Sequence, residues 1–152
     1  NLEAFKSYIP AFINATFLSN HDQNRVASMV SNDKNKIKLA ASILLTLSGS
    51  PYLYYGEELG MLGMKPDEQI REPFPWTPME SDEGRTTWVT PTYTTDSTVD
   101  PLSVQERDPS SVYNHYKTLL TYRNENAVLT YGDVIEVPLD REVLSFVCSY
   151  IC

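Results

Sequence analysis

The sequence predicts an α/β fold whose centre is a parallel strand–helix–strand unit. Two short runs rich in strand-forming residues, Asn14 to Ser19 and Pro51 to Tyr55, lie on either side of a segment with helical periodicity from Asp33 to Leu47. This order favours a parallel βαβ unit, because the helix returns the chain to the end of the sheet from which the first strand started.

The elements before and within this unit have recognisable ends. A short helix is predicted from Leu2 to Ile9 and ends at Pro10. One of the residues from Ser31 to Asp33 is suited to cap the central helix, and Gly49 stands where a helix stops. The broad apolar face of that helix is formed by Ile37, Ala40, Ala41, Leu44, Leu45 and Leu47.

The second half of the chain is predicted to contain a long loop, a helix and a hairpin. Residues 56–109 lose their periodicity and hold most of the ten prolines, and a loop of that length is often functional. A helix is predicted from Ser110 to Asn124, and Asn126 is expected to stop it. Its inward residues are expected to be Val112, Tyr116, Leu119, Leu120 and Tyr122. Tyr131 to Pro138 and Val143 to Tyr150 are predicted strands around a turn.

Composition and charge exclude several classes of protein. Among the 152 residues, 41% are hydrophobic and 21% are charged, which are values of globular proteins. The net charge of -8 argues against a nucleic-acid partner, because phosphate binding needs clustered Lys and Arg. No apolar run reaches the roughly 20 residues of a membrane span. The aromatic content of 11% suits stacking on sugars, and core packing explains it equally well.

The two cysteines, Cys148 and Cys152, do not form a disulfide framework. Positions four apart in an extended strand lie about 13 Å apart on the same side, which is too far for a disulfide unless the strand bends. Two thiols alone are also a poor metal site. We therefore expect both to be free thiols.

The first candidate site is the run from Ser19 to Arg25, just past the carboxyl end of the first predicted strand. Parallel α/β folds place their functional groups at this end. Asp22 lies next to His21 and near Arg25, and neighbouring positive charge favours an ionised carboxylate. Such a group is suited to stabilise an oxocarbenium-like transition state or to hold sugar hydroxyls. In a purely structural interpretation, Asn20 and Asp22 only turn the chain and Arg25 is solvated.

Two other groups of residues carry weaker signals. Glu57 and Glu58 follow the second strand, but adjacent carboxylates point in different directions, so a role in fixing the loop is favoured over that of a glycosidase acid/base pair. Trp76, Trp88 and Tyr93 in the long loop are suited either to sugar stacking or to a small cluster that holds the loop down.

Four blocks of the sequence resemble the α-amylase superfamily of glycoside hydrolases, family 13. The region after the seventh strand of that family's catalytic (β/α)8 barrel is similar to F-L-S-N-H-D-Q-N-R at Phe17 to Arg25. Its eighth strand and exit are similar to P-Y-L-Y-Y-G-E-E-L-G-M at Pro51 to Met61. The eighth loop and eighth helix of bacterial α-amylases resemble I-R-E-P-F-P-W at Ile70 to Trp76 and Y-R-N-E-N at Tyr122 to Asn126. The blocks cover nearly the whole chain in the family's order.

The resemblance implies a fold and a set of roles. Residues 1–126 would be the C-terminal portion of a (β/α)8 TIM barrel, its seventh and eighth βα units, and residues 127–152 the start of an all-β C-terminal domain. Asp22 would be the catalytic carboxylate that stabilises the transition state and binds hydroxyls of the sugar at the cleavage site. The substrate-binding residues would be His21, which hydrogen-bonds the same sugar, Asn20, which shapes the turn, and Arg25, which lies nearby.

The resemblance also implies an incomplete enzyme. A whole barrel takes about 250 residues, and the family's nucleophilic Asp and acid/base Glu lie on earlier strands. Retaining hydrolysis of α-1,4-glucans, such as starch and maltooligosaccharides, is therefore expected of the parent protein and not of this piece alone. Two barrel strands with open edges favour self-association.

The chemistry needs no cofactor, and no residue is assigned to a metal. A structural calcium in the full-length enzyme is compatible with the resemblance, as is secretion or a place in the cell envelope. Two further functions stay open. An α-1,6-glucosidase or a transglycosylase of the same family would use the same residues on a different bond or acceptor. A non-catalytic carbohydrate-binding module would instead bind sugar through its aromatic loop.

Overall fold

The computed structural model describes Tyr8, residues 13–136 and residues 146–150. The helix predicted from Leu2 to Ile9 lies outside these residues except for Tyr8, and the turn of the C-terminal hairpin and Cys152 also lie outside them. Within the described part of the chain, no helix is long and apolar enough to cross a membrane.

Two parallel strands and the helices between them form the centre of the fold. Strand β1 (Ala15–Phe17) pairs residue for residue, in parallel, with β2 (Ser50–Tyr52). Between the strands the chain forms α1 (Val26–Met29) and α2 (Lys34–Thr46). The predicted parallel βαβ unit is confirmed, with strands shorter than the apolar runs that predicted them.

Helix α2 begins and ends at residues suited to those positions. The Asp33 carboxylate accepts hydrogen bonds from the backbone N–H groups of Asn35 and Lys36, at 2.9 and 3.3 Å, so Asp33 is the N-cap. Beyond the helix, Gly49 has a φ of +108°, and a Cβ there would lie 2.3 Å from the carbonyl oxygen of Asn14. Glycine is therefore required where the chain turns into β2.

The core lies between α2 and helix α5 (Val112–Glu125), whose N-cap is Ser111. The buried side chains that pack together there are Ala27, Ile37, Ala41, Leu45, Leu59, Met61, Leu62, Val99, Val112 and Tyr116. Tyr122 was expected to face inward and is instead exposed. The reason is geometric, because six residues carry Tyr122 about 240° around the helix from buried Tyr116. The buried stripe continues one residue later, at Arg123.

The segment between β2 and α5, for which the sequence predicted no regular structure, is organised by short elements. These are α3 (Asp67–Ile70), α4 (Leu102–Gln105) and 3-10 turns at Glu57–Leu59 and Met79–Ser81. Each is too short to produce a periodic pattern in the sequence. The prediction of an irregular segment was therefore wrong in detail, and the segment also contributes Leu59, Met61, Leu62 and Val99 to the core.

The buried carboxylate of Glu72 fixes the base of this connection. It accepts hydrogen bonds from three consecutive backbone N–H groups, those of Thr92, Tyr93 and Thr94, at 2.7, 3.0 and 2.8 Å. The Thr92 hydroxyl donates a further bond of 2.9 Å. Hydrogen bonds to a carboxylate are stronger than those between neutral groups. The chain from residue 72 to residue 92 is thus closed into a loop at its two ends.

The last described residues form α6 (Ala127–Tyr131) and a pair of antiparallel strands, β3 (Asp133–Glu136) and β4 (Phe146–Ser149). Both predicted hairpin strands are confirmed within the described residues, but the first begins at Asp133, because Tyr131 is the last residue of α6. The short helix was not predicted, because five residues between Asn126 and Gly132 give no periodic signal. Cys148 on β4 is a free thiol, as expected.

Arg123 joins the end of α2 to α5. Its side chain is buried, and its Nη1 donates to the carbonyl oxygens of Leu45 and Leu47 at 2.8 and 2.9 Å. Its Nη2 donates to the carbonyl oxygen of Gly49 at 2.6 Å. The last carbonyls of a helix have no partner inside the helix, and here one guanidinium supplies it. Burial lowers the pKa of Arg123, but the group remains charged.

Replacing Arg123 by Met should lower the free energy of unfolding by about 2–4 kcal/mol, because three carbonyl oxygens would lose their donors. Urea denaturation of both proteins measures the difference. The matched control is Arg107→Met at an exposed position, which should change the value by less than about 0.5 kcal/mol. An equally small change for Arg123→Met would contradict the anchoring role.

Candidate functional site

The loop between β1 and α1 forms a defined turn at the carboxyl end of the strand. The side-chain oxygen of Asn20 accepts a hydrogen bond of 2.9 Å from the backbone N–H of Asp22. Ser19 is buried, and its Oγ accepts a bond of 2.9 Å from the backbone N–H of Val26, which closes the loop onto α1. Asn20 therefore shapes the turn with its own side chain, and Asp22 is held at the tip.

The side chains of His21 and Asp22 are open to solvent, with exposed fractions of 68% and 64%. His21 Nε2 lies 3.3 Å from Asp22 Oδ2, and Arg71 Nη2 lies 3.4 Å from Asp22 Oδ1. Each oxygen of the carboxylate thus faces a different nitrogen group. An accessible carboxylate of this kind can accept hydrogen bonds from sugar hydroxyls and can stabilise positive charge on a sugar ring.

Arg71 is a site residue that the reasoning from sequence did not assign. Its Nε donates to the carbonyl oxygen of His21 at 3.0 Å, and its Nη2 donates to Asp67 Oδ2 at 2.8 Å. Asp67 also accepts from the ammonium of Lys65, and this hydrogen bond is the largest cause that lowers the pKa of Asp67. The available signal was its place in the block from Ile70 to Trp76, since that block follows the neighbouring parallel strand.

Arg25 does not fit the expected direct contact with substrate, because its side chain is only 1% exposed. Its Nε donates to the carbonyl oxygen of Ile70 at 3.0 Å, and its Nη1 donates to that of Tyr55 at 2.7 Å. The guanidinium carbon lies 4.6 and 4.7 Å from the ring centroids of Tyr54 and Tyr55, which are cation–π distances. Arg25 therefore lies beneath the loop as a support, and burial lowers its pKa.

The carboxylate of Glu57, which follows β2 in the chain, is buried and only 3% exposed. Burial raises the pKa of Glu57 to about 7, against the opposing effects of the neighbouring Ser19 and Tyr116 hydroxyls and of the charge of Arg25. The Tyr116 hydroxyl donates to Glu57 Oε1 at 3.2 Å, whereas Oε2 has no hydrogen-bond partner among the described residues. Burial also raises the pKa of Glu58. These contacts fit the loop-fixing role expected for Glu57.

The three aromatic residues of the long loop are in two different environments. Trp76 and Trp88 are exposed, whereas Tyr93 packs against the hydrophobic core. Trp76 also packs on Phe74, with ring centroids 4.5 Å apart. Within the described residues, no group of three or more His, Cys, Asp or Glu side chains is arranged to hold a metal ion.

Comparison with known proteins identifies the class of protein to which this chain belongs. A family model described as the catalytic domain of α-amylase matches residues 2–132. The chain is 45% identical over 136 residues to Alpha-amylase 3 of Dictyoglomus thermophilum, and 39% identical over 148 residues to a 4-alpha-glucanotransferase of Thermotoga maritima. The crystal structure of an α-amylase from H. orenii superposes with a TM-score of 0.83 at 44% identity.

These matches cover 89%, 95% and 89% of this chain, but only 27%, 30% and 27% of the three proteins, in the same order. The chain therefore spans less than a third of the length of these relatives. The fold is part of a (β/α)8 barrel of a carbohydrate-active enzyme. The chain belongs to the α-amylase family of glycoside hydrolases, family 13, as the resemblance of its motifs predicted.

The raised pKa of Glu57 predicts a specific dependence of stability on pH. Between pH 4.5 and about 7 the unfolded chain loses this proton while the folded protein keeps it, so the wild type loses stability as the pH rises through this window. Glu57→Gln has no proton to lose, and its stability relative to the wild type should rise by up to about 3 kcal/mol between pH 4 and pH 8.

Urea denaturation at several pH values measures this difference, with Glu106→Gln at an exposed position as the matched control. If the stabilities of Glu57→Gln and the wild type change in parallel between pH 4 and pH 8, the raised pKa of the buried carboxyl is refuted.

Proposed function

We propose that this chain supplies the transition-state-stabilising carboxylate, Asp22, of a retaining glycoside hydrolase that acts on α-1,4-glucans such as starch and maltooligosaccharides. The observation that carries the proposal is the open carboxylate at the exit of β1, with nitrogen groups of His21 and Arg71 facing its two oxygens. A negative charge fixed there would stabilise the positive charge that develops on the sugar ring as the glycosidic bond breaks.

On this proposal, β1 and β2 belong to the seventh and eighth βα units of the barrel, and residues 127–152 open an all-β domain. The parallel pairing of the two strands supports the first assignment, since consecutive βα units of a barrel are parallel neighbours. The antiparallel pairing of β3 with β4 supports the second. The family match, which ends at residue 132, lies close to the proposed boundary.

The other two catalytic groups are proposed to come from a different part of the whole protein. Retaining hydrolysis needs a nucleophile and an acid/base whose carboxyl groups lie about 5 Å apart. Among the residues that match the family's motifs, only Asp22 corresponds to a catalytic carboxylate. We therefore expect the 152 residues alone to be inactive, and the intact protein that contains them to be the enzyme.

The proposed substrate is neutral and rich in hydroxyl groups. His21 is exposed beside Asp22 and can hydrogen-bond a sugar hydroxyl that the carboxylate also contacts. Asn20 acts on this pair indirectly, because its side chain fixes the turn that presents them. The direct sugar contacts are thus assigned to His21 and Asp22, with Arg25 as a support below them.

In the intact protein, Asp22→Asn should lower kcat on maltooligosaccharides by about 10²–10³-fold or more, because the neutral amide no longer stabilises the charged transition state. Steady-state kinetics measures the loss. The matched control is Asp100→Asn, which removes an exposed carboxylate whose partner is Lys34, and it should leave kcat unchanged. A kcat within threefold of wild type for Asp22→Asn would remove the basis of the proposal.

Glucan transfer is a second candidate, favoured by the 39% identity to the Thermotoga maritima 4-alpha-glucanotransferase over 148 residues. Chromatography of the products from maltotriose separates the two reactions. We expect only products shorter than the substrate, because water is the acceptor in hydrolysis. Oligosaccharides longer than maltotriose would identify a transferase.

Isomaltose should remain intact, and its cleavage would instead indicate an α-1,6-glucosidase.

A further inference from the structure

The segment that follows β2 is hydrogen-bonded to the loop that carries Asp22. The carbonyl oxygen of Gly63 accepts from the backbone N–H of Arg25 at 2.9 Å. The backbone N–H of Lys65 donates to Asn24 Oδ1 at 2.7 Å, and Arg71 Nε donates to the carbonyl oxygen of His21 at 3.0 Å. Residues 63–71 therefore follow the loop from its base to its tip and make contacts at both.

The guanidinium of Arg71 is itself held in place before it reaches Asp22. Asp67, four residues earlier and at the start of α3, accepts from Arg71 Nη2 at 2.8 Å. The second oxygen of Asp67 accepts from the Lys65 ammonium. The longer contact of the same Nη2, 3.4 Å to Asp22 Oδ1, is thus made by a group whose position is already determined.

We infer that Arg71 is a positioning residue for Asp22, an inference that rests on the function proposed above. One guanidinium binds both the backbone carbonyl of the residue before the carboxylate and the carboxylate itself. It therefore fixes where the chain turns and also where the carboxylate points. The planar fork of donors on Arg can do both at once in a fixed geometry, which the rotating donors of a Lys ammonium do not provide.

The contact with Asp22 is weak while both side chains are in water, because solvent screens exposed ion pairs. A bound sugar that covers this edge would exclude water and strengthen the same contact. The positioned carboxylate acts on positive charge that develops on the sugar ring only in the transition state, so the effect is expected on kcat more than on KM. A misplacement of about 1 Å at a reacting centre costs on the order of 100-fold in rate.

A simpler interpretation is that Arg71 only forms a surface ion pair with Asp67. That interpretation assigns no catalytic consequence to the contact with Asp22. The two interpretations differ in whether the effect of removing Arg71 depends on the presence of the Asp22 carboxylate. A double-mutant cycle measures this dependence.

The cycle uses the intact protein with four forms, namely wild type, Arg71→Gln, Asp22→Asn and the double variant, assayed on a nitrophenyl maltooligosaccharide. We expect Arg71→Gln alone to lower kcat by about 10- to 100-fold and to change KM by less than about threefold. In the Asp22→Asn background, the same substitution should lower kcat by less than about threefold, because the group it positions is already gone.

Two further variants separate positioning from a loss of folded protein. Arg71→Lys keeps the charge without the fork and should recover part of the lost kcat, and thermal melts should show it folded. Arg107→Gln is the matched control at an exposed position and should leave kcat unchanged. A loss of kcat for Arg71→Gln that is equally large in the Asp22→Asn background would overturn the inference, as would a kcat within threefold of wild type.

The failure of this inference can be distinguished from the failure of the proposed function. If Asp22→Asn lowers kcat as expected while Arg71→Gln has no effect, only the positioning role is lost. If Asp22→Asn leaves kcat unchanged, the proposed function fails and the positioning role fails with it.

Discussion

The geometry of the loop that carries His21 and Asp22 depends on the buried guanidinium of Arg25. Arg25 belongs to the loop after β1, yet its Nε and Nη1 donate to the carbonyl oxygens of Ile70 and Tyr55 in the chain that follows β2. The backbone N–H of Arg25 donates to the carbonyl oxygen of Gly63. Backbone carbonyls cannot move away as a side chain can, so these bonds fix the distance between the two loops. The rings of Tyr54 and Tyr55 enclose the charge and exclude water from it.

Burial thus distinguishes the supporting residue of this loop from the residues that a substrate can reach. Arg25 is enclosed below the loop, whereas His21 and Asp22 at its tip remain in solvent. Arg71 approaches the tip from the side and is only partly covered. A charge that acts on a ligand has to keep access to it, whereas a buried charge that holds the backbone needs acceptors such as carbonyl oxygens. Within seven residues the chain meets both requirements.

Local patterns predicted the parts of this structure that depend on neighbouring residues. The cap at Asp33 and the exposed turn at Asp22 follow from residue type and position next to a predicted element. Long-range contacts were inaccessible, because nothing near Arg25 in the sequence shows that Tyr55 and Ile70 enclose it. Tyr122 was misassigned because it lies about 240° around the helix from Tyr116, and the buried stripe passes instead through Arg123, whose carbonyl partners are distant in the sequence.

The hydrogen bonds of Glu72 bear on where members of this protein family can differ in loop length. One carboxylate gathers the amide groups of residues 92–94 and so holds both ends of the intervening loop at one point. Additional residues in the middle of such a loop cost little closure entropy, because that cost rises only with the logarithm of length. Insertions and deletions among the mostly exposed residues 86–91, beyond the buried pair of Asp82 and Arg85, are therefore an expected route by which relatives change this surface without disturbing the barrel beneath.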